Sequence, residues 1–432
     1  LLNDHLKLAR KTITFFAAIS FIFSFFVISY AIFWPLGDSA SLSDFMRESV
    51  RFAGLLCFFM LSSLIFIGDT SRFLDRYYGL DRIISFNKKY ATAAAILIIS
   101  HPLLLIFSTG KIRDFIVPDF AILPLAMGIL SLYVFCIMMA ASAVHKRIHY
   151  GLWQYIHMLN YALFAMVVYH ALNTGSDTGR LPIRIMIWFF ILIIPLGAVY
   201  RFSYKIRQRK NKFKVAWLKW ETKDTFTVAL ESSNKMGFKP GQFCFLRLKS
   251  LYTRHPFTIS SAPSSRYLEF TIKLQGRFTK AVSALKKGDG VFVEGPFGAF
   301  IMDDSAKKHV FISGGVGITP FMSMIRAMRG GKKKKDIVLV YGSKNYKDII
   351  FRKELDSMKK LKKLYVLSDE DKDYGVCRKG YVDEKIIKGH VDDISGCVFY
   401  ICGPEPMKRC VKEALSNMGV ERRDIKIEDF FW

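Results

Sequence analysis

Three histidines, His101, His157 and His170, stand inside long apolar runs of this 432-residue chain. An ionisable ring is costly in hydrocarbon and marks a functional position by default. Imidazole ligates metals and is a standard axial ligand of haem iron, and helical bundles build such sites from facing helices. His157 and His170 share one apolar run and lie ~20 Å apart along an ideal helix. His101, late in an earlier run, is level with His170, so a haem b between those two is expected. A second haem at His157 needs a partner near Asn87 and Lys88, where no histidine occurs. Steps of ~100° per residue turn His157 and His170 to different faces of an ideal helix. Either that helix deforms or the two sites are offset. His145 and His149 flank a basic loop and read as interfacial, while His5, His309 and His390 read as surface residues.

A second group of chemistry-bearing residues follows a basic linker. In Arg254-His255-Pro256-Phe257-Thr258-Ile259-Ser260-Ser261, an aromatic beside a hydroxyl suits a flavin: the ring packs on it and the hydroxyl bonds its redox-active edge. Gly276-Arg277-Phe278-Thr279 is a glycine turn opening a helix, where backbone amides can hold pyrophosphate. Gly314-Gly315-Val316-Gly317-Ile318-Thr319-Pro320 follows the strand 309–313, and its glycines permit close approach of backbone to phosphate. Further strands at 337–341, 363–367 and 397–401, the last ending in Cys402-Gly403-Pro404, predict an open α/β sheet. Alternating segments at 214–245 and 267–274 predict a small antiparallel barrel.

These residues need two kinds of scaffold, and the composition divides accordingly. Apolar runs dominate up to about Tyr200, and soluble-type alternation begins at Lys205, within an overall 51% hydrophobic content. Six stretches approach the ~20 apolar residues that span a bilayer: 12–36, 50–68, 90–109, 119–144, 153–173 and 181–200. The first is too long for a signal-peptide core and reads as a retained helix. Seventeen Lys and Arg flank one side of these stretches against four on the other. The positive-inside rule then sets both termini in the cytoplasm of a multi-pass cell-membrane protein. A net charge of +27 invites nucleic acid as a partner, but the excess lies largely in short loops beside the apolar runs, which excludes it. Seven scattered cysteines with no zinc spacing fit a reduced compartment. The expected domains are a transmembrane haem bundle (1–204), an FAD-binding β-barrel (205–305) and a nucleotide-binding α/β domain (306–432).

The order HPFTIS, GGVGITP, CGPEPM resembles the ferredoxin–NADP reductase superfamily. Joined to the histidine-bearing bundle, the chain resembles the ferric reductase and NADPH oxidase family, in a bacterial NADPH oxidase-like form, from about Arg51 to Trp432. The resemblance implies that His255, Pro256, Phe257, Thr258, Ser260, Ser261 and Lys273 serve FAD, with Gly276 and Thr279 near its pyrophosphate. Gly314, Gly315, Gly317 and Thr319 would face NAD(P)H phosphates, and Cys402, Gly403 and Pro404 the nicotinamide. Trp432 would lie on the flavin and, with Thr258 and Cys402, take part in hydride transfer. His101, His157 and His170 would ligate haem iron, with two haems and Asn87 standing where a fourth histidine is expected. Ser343 and Lys344 suit a ribose 2′-phosphate, favouring NADPH over NADH. The implied activity is electron transfer from cytosolic NAD(P)H through FAD and haem to an extracellular acceptor. Dioxygen, giving superoxide, is favoured because the outer loops are short and carry Lys111 and Arg113. The rivals are a ferric chelate and a periplasmic partner protein. With no EF-hand loop and no long tail in the sequence, activity without calcium or a cytosolic activator is expected.

Overall fold

The computed structural model describes residues 29, 41–144, 147–148, 150–209, 211–232, 236–248, 254–303, 305–329, 335–370, 377–391 and 393–428. Apart from Ser29, the expected span 12–36 lies outside the described residues, as do His5, His145, His149 and Trp432. The chain forms two compact units, one essentially 1–205 and the other 206–432.

The first unit is helical: α1 (Leu42–Tyr78), α2 (Leu80–Thr109), the short α3 (Ile112–Ile116), α4 (Leu123–Ala143), α5 (Tyr150–Met158), α6 (Asn160–Thr174) and α7 (Leu181–Arg209). Five described spans are long and apolar enough to cross a bilayer: Asp44–Asp75, Arg82–Thr109, Phe120–Ala143, Gly151–Thr174 and Leu181–Gln208. Several run past their apolar cores because a helix satisfies its own backbone whatever its side chains. Phe58, Leu61, Leu163, Ile187 and Ile194 interlock in the bundle core. Leu103, Phe107, Leu192 and Leu196 point outward, as side chains facing hydrocarbon do. The span carrying His157 and His170 is interrupted at Leu159, where the amide bonds Ile156 O at 3.1 Å in a tightened turn. The helix deforms between the two histidines.

The second unit holds two sheets. The antiparallel one has strand order β4-β3-β6-β1-β2-β5, from β1 (Lys212–Trp220), β2 (Thr225–Glu231), β3 (Phe243–Arg247), β4 (His255–Thr258), β5 (Leu268–Lys273) and β6 (Gly290–Phe297). A helix of seven residues, α8 (Arg277–Ser283), lies between β5 and β6. The parallel sheet has order β10-β9-β8-β7-β11-β12. Its elements are β7 (Lys308–Gly314), α9 (Thr319–Arg329), β8 (Asp336–Ser343), α10 (Arg352–Ser357), β9 (Lys362–Leu367), β10 (Cys377–Lys379), α11 (Glu384–His390), β11 (Cys397–Cys402), α12 (Glu405–Asn417) and β12 (Ile425–Ile427). Its central strands read as unbroken apolar runs because both faces are covered by helices. That burial corrects one reading: His309 is not a surface residue but fully buried on β7, between Phe311 and Tyr400.

Candidate functional site

In the helical unit His101 on α2 and His170 on α6 line one cavity of about 380 Å³. Its walls are mostly apolar. His101 Nδ1 donates to Val50 O on α1 at 3.2 Å, and His170 Nδ1 donates to Pro124 O on α4 at 2.9 Å. A carbonyl can only accept, so each bond fixes the proton on Nδ1 and leaves the Nε2 lone pair to ligate a metal. Each ring also lies against a glycine of a neighbouring helix. A Cβ on Gly54 would stand 2.9 Å from His101 Cε1, and one on Gly128 would stand 2.6 Å from His170 Nδ1. Two oriented imidazoles in an apolar chamber, with glycines clearing their flanks, fit a haem.

His157 is not among the residues lining that cavity. Its Nδ1 donates to Trp153 O at 3.0 Å, and its ring lies tilted against the Trp153 indole, 4.1 Å between centroids. Its Nε2 stands 3.1 Å from Ser142 Oγ, whose single proton is shared with Met138 O at 2.9 Å. Asn87 Oδ1 is buried with no hydrogen-bond partner among the described residues.

Sequence reasoning missed a charged group at the His101–His170 cavity. Arg51 and Asp177 both line it. The Arg51 guanidinium donates to both Asp177 oxygens, its Nε at 2.6 Å, and to both Glu48 oxygens at 2.6 and 2.7 Å. The available signal was Glu48 and Arg51, opposite charges three apart where an apolar run begins. Lys111 and Arg113, singled out from the sequence, are exposed and do not line the cavity.

In the second unit the flavin motif forms β4 and its exit. His255 stacks on Phe278 at 4.0 Å, and Phe257 lies parallel to the same ring at 6.0 Å. Burial holds His255 below the ordinary imidazole range, favouring its neutral form. Pro256 pairs with Phe245 on β3. Thr258 is buried, and its Oγ1 lacks a partner among the described residues. An unpaired buried hydroxyl is costly unless a ligand completes it, so Thr258 fits a flavin edge. Ser260 and Ser261 instead turn inward. Ser260 Oγ donates to Glu269 O at 3.2 Å, and Ser261 Oγ accepts from Glu269 N at 3.1 Å. Lys273 pairs with Asp224 at 3.2 Å. Thr279 Oγ1 accepts from the amides of Gln275 (2.9 Å) and Gly276 (3.1 Å), which engages one of the expected phosphate donors, Gly276.

The strand order of the parallel sheet reverses between β7 and β11, and ligands of open α/β sheets bind at such a switch point. Gly314–Thr319 leaves β7 there and Cys402–Pro404 leaves β11, so the two motifs meet. A Cβ on Gly317 would lie 2.3 Å from Cys402 O, and one on Gly403 would lie 2.9 Å from Gly314 N. Gly315 has φ of +54°, a conformation other residues rarely take. Ser313 Oγ, also buried, has no partner among the described residues. Lys344 is exposed at the end of β8, and its carbonyl accepts from Asp369 N at 2.9 Å. Asp369 thus brings an acidic residue, distant in sequence, to the turn beside Lys344.

A helical bundle with a chamber lined by two oriented imidazoles, joined to an antiparallel barrel and an open α/β sheet, is the architecture of a membrane-bound oxidoreductase. The comparisons agree. "Ferric reductase like transmembrane component" matches residues 53–168, "FAD-binding domain" 208–301 and "Oxidoreductase NAD-binding domain" 311–413. The chain joins a multi-pass, ferric-reductase-like membrane component to FAD- and NAD-binding domains, the arrangement of a ferric reductase/NADPH oxidase-like fusion.

Among curated relatives, the 2-halobenzoate 1,2-dioxygenase electron transfer component of Burkholderia cepacia is 29% identical, over 48% of this chain and 62% of its own length. The glycine betaine monooxygenase reductase subunit of Pseudomonas aeruginosa is 32% identical, over 48% of this chain and 60% of its own length. The chain therefore spans less than two thirds of each. Among solved structures, the cytochrome b5 reductase domain of Ulva prolifera nitrate reductase is 22% identical with a TM-score of 0.46, covering 51% of this chain and 97% of that one.

Proposed function

We propose that this chain moves electrons from cytosolic NADPH through FAD and haem to an acceptor at the opposite membrane face, reducing dioxygen to superoxide. The reading assigns three domains, 1–204, 205–305 and 306–432, six membrane helices and both termini in the cytoplasm. When bound, FAD supplies hydride acceptance and release of single electrons, and haem supplies passage across the bilayer. The chain supplies orientation. Thr258 offers its unpaired hydroxyl to the flavin. Gly314, Gly315, Gly317 and Thr319 admit the nucleotide phosphates, and Cys402, Gly403 and Pro404 stand at the nicotinamide end. His101 and His170 would hold one haem and His157 would hold a second, with Lys88, water or nothing completing it. Trp432 covers the flavin. It follows Glu428, whose amide donates to Ile401 O at 3.0 Å, by four residues, a reach of ~14 Å beyond β11. Ser343 and Lys344 favour the 2′-phosphate of NADPH.

One observation carries the reading: a single chain holds both a chamber with two Nε2-open imidazoles and a switch point where two glycine turns meet. Arg51 at the chamber wall is already engaged by Asp177 and Glu48, so it adds no free cation for a nascent anion, and dioxygen is favoured here on its small size and the short loops at that face. The family description favours a ferric chelate instead, and the relatives' names favour a protein acceptor. NADPH-driven cytochrome c reduction, with and without superoxide dismutase, separates these beside anaerobic turnover with ferric citrate. Dismutase-sensitive reduction supports dioxygen. Faster anaerobic turnover transfers the assignment to the chelate. Flavin reduction with neither outcome points to a protein partner.

A further inference from the structure

Arg326 on α9 stands where the nucleotide sheet meets the flavin barrel. Its Nη1 donates to Ser260 O at 2.9 Å and to Glu269 Oε2 on β5 at 2.9 Å. Its Nε and Nη2 form a paired contact with Glu354 on α10, at 2.9 and 2.6 Å. The Phe351 ring lies 4.8 Å from the guanidinium carbon. Phe351 is the one non-glycine residue with positive φ among the described residues, at 59°, so this ring position is kept against backbone preference. One turn earlier on the same helix, Ser323 Oγ donates to Ser261 O at 2.7 Å. Helix α9 therefore grips two consecutive carbonyls of the flavin segment, and it begins where the glycine turn Gly314–Ile318 ends.

These bonds tie two places that a hydride must bridge. Ser260 is two residues from Thr258, and α9 continues directly from the nucleotide turn. A guanidinium suits the task because its planar fork keeps several bonds at fixed angles, which a flexible ammonium does not. Resting on the reading that this half reduces flavin with NADPH, we propose that Arg326 is a positioning residue for hydride transfer. It sets the separation of nicotinamide and flavin by clamping α9 to the Thr258–Ser261 segment. In that transfer the C4–H bond of the dihydronicotinamide breaks. Its hydride adds to the flavin with both electrons, the nicotinamide is oxidised, and a solvent proton completes the reduced flavin. Arg326 touches none of these atoms. Since displacements of ~1 Å cost on the order of 100-fold in rate, loosening the clamp should slow the transfer while leaving both binding sites built.

The test uses the full-length, FAD-loaded protein in detergent, with anaerobic stopped-flow reduction by NADPH. Arg326→Gln should lower the limiting rate of flavin reduction by about 10- to 100-fold. FAD content and the NADPH concentration at half-maximal rate should stay within about twofold of wild type. Arg326→Lys should restore only part of the rate. Independently of activity, the Ser260 amide, bonded to Glu269 O at 2.8 Å, should exchange its hydrogen faster in Arg326→Gln. A wild-type limiting rate in Arg326→Gln, full rescue by Arg326→Lys, or a loss of FAD that accounts for the slower rate would each overturn the proposal. If Arg326→Gln does not purify, Ser323→Ala decides. It should slow reduction several-fold with both affinities kept, and an unchanged rate would overturn the clamp. If wild type itself is not reduced by NADPH, the functional reading fails rather than the clamp.

Discussion

Two levels of the helical bundle share a repeat. Gly54 and Gly68 on α1, His101 and Asn87 on α2, and Gly128 and Ser142 on α4 are each 14 residues apart. That interval is about four helical turns and ~21 Å, so each pair returns to nearly the same helix face. At one level His101 lies against Gly54 and His170 against Gly128. At the other, Asn87 Nδ2 would lie 4.0 Å from a Cβ on Gly68, and His157 meets Ser142 rather than a glycine. The levels also differ in what orients the imidazole. His101 and His170 give their Nδ1 protons to carbonyls of other helices, whereas His157 bonds its own helix one turn back. A ring held by a neighbouring helix is aimed by the tertiary packing, so its free nitrogen points where the bundle requires. The comparison therefore separates a level organised for two-sided ligation from one that offers a single imidazole, a hydroxyl and an amide.

The largest expected effect falls on the first level. Replacing His101 or His170 with Ala should remove one haem's absorbance in a pyridine haemochrome assay. Transmembrane electron flow should drop at least ~100-fold, since a misplaced or missing group costs that much. Dye reduction by the flavin half should survive. Normal haem content in both variants would erase the distinction between the levels.

Gly128→Ala probes the same level more gently. The added methyl would stand 2.6 Å from His170 Nδ1, so the ring must shift, at about 1–3 kcal/mol for overpacking. Haem retention should fall roughly 5- to 150-fold by the same energy. The same change at Gly68, with nothing but Asn87 Nδ2 at 4.0 Å, should leave haem retention unaltered. Equal sensitivity at the two glycines would break the comparison.

At the second level Asn87→His should add a ligand opposite His157. Electron paramagnetic resonance should show one bis-histidine low-spin centre in wild type and a second in the variant. Two such centres in wild type would mean that another residue completes the inner ligation. The smallest effect concerns the nucleotide. Lys344→Glu should lower the efficiency ratio of NADPH to NADH by about tenfold, for the loss of one charge-assisted contact worth ~1.4 kcal/mol. An unchanged ratio would assign Lys344 to plain surface.

The sequence by itself determined the two kinds of scaffold. Hydrophobic length marked the spans, alternation marked the barrel, and the two glycine- and proline-bearing motifs GGVGITP and CGPEPM marked the dinucleotide sheet, because these signals are local and survive in one dimension. It also named His101, His157 and His170, since a polar ring inside an apolar run stands out without any fold. The level of His101 with His170 was legible along the chain, but the aim of both rings into one chamber was decided only by the tertiary structure, through the break at Leu159 and the carbonyls of Val50 and Pro124. The same holds for Arg51 with Asp177, for Lys344 beside Asp369, and for Arg326 between Glu269 and Glu354. Each of these joins residues on different elements. A charged side chain shows its residue type in sequence, but its partner is set by which helices and strands pack together, and packing is a property of the whole chain.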